Sequence, residues 1–126
     1  MLGLLLATAA ALPTLAGDFD RDGKRDVASI VRKGANYELV VRRGADLLHP
    51  VLIGKLGSRH ADFFLARAAP GVARTWCGKG GGSDSDPCPR QSVRLRGGEL
   101  TFGNRDASES VALWKGGRFE PILLSD

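Results

Sequence analysis

Between Asp18 and Asp26 the chain reads D-F-D-R-D-G-K-R-D. Carboxylates fall at the first, third, fifth and ninth places of this run, a glycine at the sixth, and Lys24 offers its backbone carbonyl at the seventh. That pattern is the front of a calcium loop. Ca²⁺ takes six to eight oxygen ligands at about 2.3–2.6 Å. Alternate residues of a tightly wound loop point the same way, so the side chains of Asp18, Asp20 and Asp22 are expected to converge. Gly23 lets the chain turn sharply where a Cβ would clash. Without a cation, four carboxylates in one tight turn would repel one another. The expected ligand set is Asp18, Asp20, Asp22, Lys24 through its carbonyl, and Asp26. All five come from one short segment, as in a self-contained loop whose Ca²⁺ pins the structure.

The back of the run departs from a helix-loop-helix site. Its twelfth place is Ser29 rather than a bidentate Glu, and no helix-forming stretch precedes Asp18. Val27–Arg32 is rich in β-branched residues, so the loop should lead into a strand. The segment Gly17 to Ala28 resembles the DxDxDG calcium loops of the FG-GAP and VCBS repeat families of secreted proteins. The resemblance implies an exported β-protein holding a Ca²⁺ ion. Only one copy of the motif is present, and the chain length excludes a multi-blade propeller.

Catalytic chemistry finds little support. His49 precedes a proline, His60 falls in a connection, and neither adjoins a nucleophile motif such as G-x-S-x-G. The clustered carboxylates are better explained by a cation than by an acid/base pair. Gly78-Lys79-Gly80-Gly81-Gly82-Ser83 lacks phosphate-loop spacing and opens no helix, so it reads as a flexible loop. The expectation is a protein that is not an enzyme. The only two cysteines, Cys77 and Cys88, flank this loop without metal-ligand spacing. In an oxidising compartment they should pair, which is worth on the order of 3 kcal/mol in the chain-entropy model. A loop tethered at both ends costs less to order on binding. Lys79, Ser83, Asp84, Ser85 and Asp86 are therefore candidates for touching a partner, an ordinary stapled insertion being the plainer reading.

The elements that must position these residues are strands. Val27–Arg32 and Tyr37–Arg42 flank a hairpin signal at Lys33–Asn36, and Gly44-Ala45-Asp46 ends the second. Shorter candidates are Val51–Ile53, Phe63–Arg67 and Val72–Cys77. Ser92–Arg96 and Glu99–Phe102 flank Gly97-Gly98, read as a two-residue hairpin turn, and Ser110–Lys115 and Arg118–Leu124 flank Gly116-Gly117. Val93 and Leu95 alternate with Arg94 and Arg96, the pattern of a half-buried strand. Pro121 implies an edge or a bulge. At most one short helix is expected, over Arg59–Ala69. Trp76 and Trp114 are expected in the core, with sugar stacking as the sharper alternative. The fold class is all-β: an antiparallel β-sandwich or flattened barrel of about eight or nine short strands.

Composition sets the remaining bounds. The chain has 126 residues, 43% hydrophobic and 25% charged, which is one globular domain's worth. Its 17 glycines mean many turns and few long helices. No window approaches the roughly 20 apolar residues of a helical membrane span. Residues 1–11 read as a signal peptide, a short apolar run followed by small residues, with cleavage between 9 and 16. That leaves 12–126 as a single calcium-binding β domain, periplasmic or secreted. Lys and Arg number 18 against 14 acids, and setting aside the four Asp of the loop leaves 10 acids. A basic surface favours an acidic partner. Arg32, Lys33, Arg42 and Arg43 cluster, but without the interleaved aromatics of a nucleic-acid site they read as a solvated face. An exported β-domain with such a loop and a disulfide is similar to bacterial periplasmic lysozyme inhibitors and to immunity proteins that neutralise peptidoglycan hydrolases. This resemblance implies a protein partner, an acidic cell-wall hydrolase, and no inhibitory residue can be carried over from it. A glycan- or surface-adhesion module of VCBS type is the alternative.

Overall fold

In a computed structural model the described residues are 12–58, 62–82, 87–105 and 107–126. They form ten strands and one short 3₁₀ turn at Cys77–Lys79. The first sheet is an antiparallel meander of β1 (Thr14–Gly17), β2 (Asp26–Lys33), β3 (Asn36–Arg43) and β4 (Asp46–Gly57), in that order. The second contains β5 (Phe63–Arg67), β8 (Leu100–Asn104), β9 (Ser108–Lys115) and β10 (Arg118–Ser125), in the order β10-β9-β8-β5. Between them in sequence, β6 (Gly71–Arg74) and β7 (Ser92–Leu95) pair only with each other. The architecture is the expected β-sandwich rather than a barrel: no sheet closes on itself.

The alternation of apolar residues explains how the sheets meet. Ala28 and Ile30 on β2, and Tyr37, Leu39 and Val41 on β3, turn the same way and are buried. They pack with Ile53, Leu100, Phe102 and Ala112 in one cluster that draws on both sheets. Phe19, from the β1–β2 loop, plugs one end of it. A second cluster lies on the other face of the second sheet. There Val93 and Leu95 of β7 cover Val111 and Leu124. The β6–β7 ribbon is therefore a third layer. This is why Val111 and Ala112, neighbours on one strand, are both fully buried. On a two-sided sheet, burial stops alternating.

Several sequence expectations need correction. Ser92–Arg96 and Glu99–Phe102 do not form a hairpin, because β7 pairs with β6 and β8 pairs with β5 and β9. Gly97-Gly98 is instead a corner by which the chain changes sheets, held by Gly98 N–H donating to Ala68 O at 2.8 Å and Ala68 N–H to Glu99 O at 2.8 Å. Phe63–Arg67 is the strand expected there, β5, paired over all five residues with β8, and no helix forms among the described residues of 59–69; positions 59–61, His60 included, lie outside them. β6 stops at Arg74, before Cys77, which belongs to the 3₁₀ turn. β1, at Thr14–Gly17, is a strand that no sequence signal marks, overlapping the span in which cleavage is expected, and β4 runs twelve residues rather than three. Pro121 does lie on an edge strand, β10, with a register shift further along at Leu123/Ser125. Neither tryptophan belongs to the buried core: both are half-buried.

Leu39 lies at the centre of β3, fully buried between β2 and β4. Leu39→Ala is expected to cost about 2–5 kcal/mol by chemical denaturation. A loss under 1 kcal/mol would show that the sheets do not meet there.

Candidate metal centre

The acidic run is the tip of the β1–β2 hairpin, closed by the Gly17–Asp26 pair. Phe19 sinks its ring into the core at 2% exposure, and that fixes which way its neighbours point. The loop then winds over its own carboxylates. Asp18 Oδ1 accepts from Asp22 N–H at 3.1 Å and Asp18 Oδ2 from Gly23 N–H at 2.9 Å. Asp22 Oδ1 accepts from Lys24 N–H at 2.8 Å. Gly23 takes φ 81°, a left-handed conformation in which a side chain would be strained. The winding brings one carboxylate oxygen from each of Asp18, Asp20 and Asp22 within 4.8 Å of the others. Asp18 and Asp22 are exposed and Asp20 is buried. The donor set is carboxylate oxygen alone, the chemistry of a hard divalent cation. Asp20 Oδ1 accepts from Asp22 N–H at 3.4 Å, a long contact.

Asp26 has a different place from the one expected. Its side chain is fully buried. Oδ2 accepts from the amides of Phe19 at 2.8 Å and Asp20 at 3.1 Å, and Oδ1 from Gly44 N–H at 2.8 Å. It stands outside the three-carboxylate group and works as a clamp between the β1–β2 loop and the β3–β4 turn. Burial raises its pKa; the Gly44 and Asp20 amides oppose that rise, and the Asp20 charge adds to it. Lys24 joins the loop through the amide already described.

Two further residues belong to the site: Arg43, expected on a solvated cationic face but in fact partly buried, and Glu99, expected only as the start of a strand. Arg43 donates from Nε to Asp20 Oδ2 at 2.6 Å, and its guanidinium lies 4.4 Å from the Trp114 ring centroid. The bond to Asp20 raises the Arg43 pKa further, against the effect of burial. Trp114 in turn meets Phe119 edge-on at 4.8 Å. Arg43 thus ties the loop to the second sheet. Strand alternation could have found it: Val41 faces inward, so Arg43 must too, and an inward charge needs a partner. Glu99 is the other. Its carboxylate accepts from Arg96 N–H at 2.8 Å and Gly97 N–H at 2.9 Å, and it meets Arg21 of the loop at 3.3 Å.

The region proposed for partner contact is only partly described. Cys77 and Cys88 are disulfide-bonded, with Cα atoms 5.6 Å apart. Lys79 is exposed, and its ammonium group donates to Leu124 O at 2.9 Å, which ties it to β10. Ser83, Asp84, Ser85 and Asp86 lie outside the described residues. The glycine run is not slack where it is described. A Cβ on Gly81 would fall inside the Trp76 indole, so the backbone packs against that ring. Trp76 also borders an open groove of about 330 Å³ lined by Pro89, Arg90, Pro121 and Leu123 among others.

Removing the Asp26 carboxylate leaves three buried amides without an acceptor, each costing about 1–3 kcal/mol. Asp26→Ala is expected to lose about 3 kcal/mol or more, equally in calcium and in chelator; a loss seen only in calcium would make Asp26 a metal ligand. Glu99 titrates below its ordinary value of 4.5, because the amides of Arg96, Glu99 and Gly97 and the Arg21 charge together outweigh the upward push of burial. Its depressed pKa in the fold means that its stabilisation is present above pH 4.5 and fades as pH falls through the folded value. Glu99→Gln should therefore flatten the acid limb of the stability profile; parallel limbs for the two proteins would sink this assignment.

The chain matches no family model, no curated protein and no solved structure.

Proposed function

We propose that this protein is an exported calcium-binding β domain that acts by binding another protein, with an acidic cell-wall hydrolase as the partner class. The observation that carries the calcium reading is the convergence of Asp18, Asp20 and Asp22 at the hairpin tip. Bound there, Ca²⁺ would neutralise the carboxylates and add its own cross-link to the loop. The chain's own residues supply the frame: Phe19 anchors the loop, the Asp26 clamp fixes its base, and Arg43 balances the charge of Asp20. The Cys77–Cys88 disulfide supports an oxidising compartment, and with the apolar N-terminal segment it favours the periplasm or the exterior. Binding rather than catalysis is favoured by the setting of His49. Its Nδ1 meets Asp46 Oδ1 at 2.7 Å with both side chains open to water, a surface setting rather than an enclosed one.

The choice of a hydrolase partner rests on the basic surplus of the surface and on the likeness to lysozyme inhibitors and immunity proteins. A glycan-binding reading draws on one observation, the Trp76 groove, since the Trp114 ring is already covered by Arg43.

The metal is tested by titrating chelator-stripped protein with Ca²⁺ in a calorimeter. At a hundredfold excess over the dissociation constant, binding adds about 2.7 kcal/mol of stability. Asp22→Ala should abolish the heat, and EDTA should lower the melting temperature of the unmutated protein to that of the variant. No heat and no shift would remove calcium from the reading. Capture from an envelope extract should enrich a cell-wall hydrolase and protect cells in a lysis assay; glycan-array binding lost in Trp76→Ala would favour adhesion instead.

A further inference from the structure

The long edge strand β4 does not pair evenly with β3. Val41 opposes Val51, but the next paired residue, Arg43, opposes Asp46. Leu47, Leu48, His49 and Pro50 thus bulge out opposite Arg42 alone. Two adjacent leucines at the crest are left in water, Leu47 at 55% and Leu48 at 85% exposure. The crest is held in shape: Arg42 Nη1 donates to Leu47 O at 3.1 Å, and His49 is bonded to Asp46. Isolated exposed leucines are ordinary; an adjacent pair on a braced projection is an apolar point.

The surroundings of this point are cationic. Arg42 and Arg43 precede the β3–β4 turn. Lys115 and Arg118 close the β9–β10 hairpin one pair beyond Trp114, the ring that Arg43 covers. Lys24 and Arg25 come from the β1–β2 loop, whose backbone abuts Gly44. Acids lie at this end too: Asp46 is bonded to His49 and Asp20 to Arg43, while Asp18 and Asp22 of the loop stay exposed, so the cationic surplus rests on Arg42, Lys24, Arg25, Lys115 and Arg118.

We propose that the Leu47–Pro50 bulge and its ring of cations dock the protein on an anionic lipid bilayer, with Leu47 and Leu48 entering the interface. Size decides between a membrane and a protein occupant. A stable protein interface hides roughly 800 Å² on each side, more than one four-residue bulge presents. For a bilayer two leucines suffice, since each buried side chain raises partitioning about tenfold or more and each nearby cation about fivefold. Edge-to-edge pairing with a second copy is opposed by the bulge itself and by Pro50, which has no N–H to give a ladder. This surface goes beyond the calcium reading and does not depend on it.

The test is co-sedimentation of the full protein with vesicles of phosphatidylcholine, with and without phosphatidylglycerol, in calcium and in chelator. Binding is expected only with the anionic lipid. It should weaken at least tenfold in the Leu47→Ser/Leu48→Ser double variant and about fivefold in Lys115→Gln, with melting temperatures unchanged because these side chains are exposed. The leucine dependence should hold in calcium and in chelator alike, which separates this result from the fate of the calcium site. No sedimentation of the unmutated protein would overturn the proposal. So would full binding by the double variant, or a dimer in solution that the double variant dissolves.

Discussion

A carboxylate taken fully out of water must be met by donors, and at Asp26 three amide donors come from two separate stretches of backbone. The amides of Phe19 and Asp20 belong to the β1–β2 loop, and that of Gly44 to the β3–β4 turn. Asp26 itself begins β2, the strand that both connections flank. One side chain therefore sets the distance between two hairpin connections. Leaving any of the three amides unmet would expose the full cost of a buried polar group. The loop's conformation, the seat of Phe19 and the approach of Arg43 all follow from this arrangement.

Arg43 extends the same constraint across the sandwich. It bonds Asp20 on the loop and lies over Trp114 on the second sheet. An ion pair at this depth is favourable only when its geometry satisfies both partners. Here the guanidinium face is covered by an aromatic ring and its edge by a carboxylate. Glu99 provides a second link, joining Arg21 of the loop to the corner where the chain passes from β7 to β8. The acidic loop is thus seated on the end of both sheets, and its three converging carboxylates rest on a rigid base. That base is what a small oxygen-ligated cation requires, since repulsion among carboxylates would otherwise spread them.

The third layer shows how a chain of this size finds enough apolar burial. The first sheet uses its inner face alone. The second sheet uses two, because the β6–β7 ribbon folds onto its outer side and brings Val93 and Leu95 over Val111. The disulfide and the 3₁₀ turn sit at the end of this ribbon. Trp76 N–H reaches Leu123 O at 2.9 Å, and the Thr75 hydroxyl reaches Arg90 O at 2.6 Å, so the stapled segment is fastened to β10 and to itself.

Much was readable in the sequence because it is local. Period-two alternation marks β2, β3 and β7, Gly-Gly marks the β9–β10 turn, and D-x-D-x-D-G marks the loop that gathers three carboxylates. Alternation cannot say which strand pairs with which. Gly97-Gly98 looks like a hairpin turn yet is a corner, because β8 gains more by pairing with β5 and β9. Nor does spacing tell a ligand from a clamp: Asp26 stands at a ligand's place in the run, and only burial beneath three amides makes it a brace. The roles of Arg43 and Glu99 depend on partners 23 and 78 residues away, Asp20 and Arg21. What the sequence determined by itself was most of the strands and the one loop where carboxylates gather, since both depend on neighbours in the chain. Tertiary structure alone decided pairing, layering and which charges meet, since those depend on long-range contacts that no local pattern encodes.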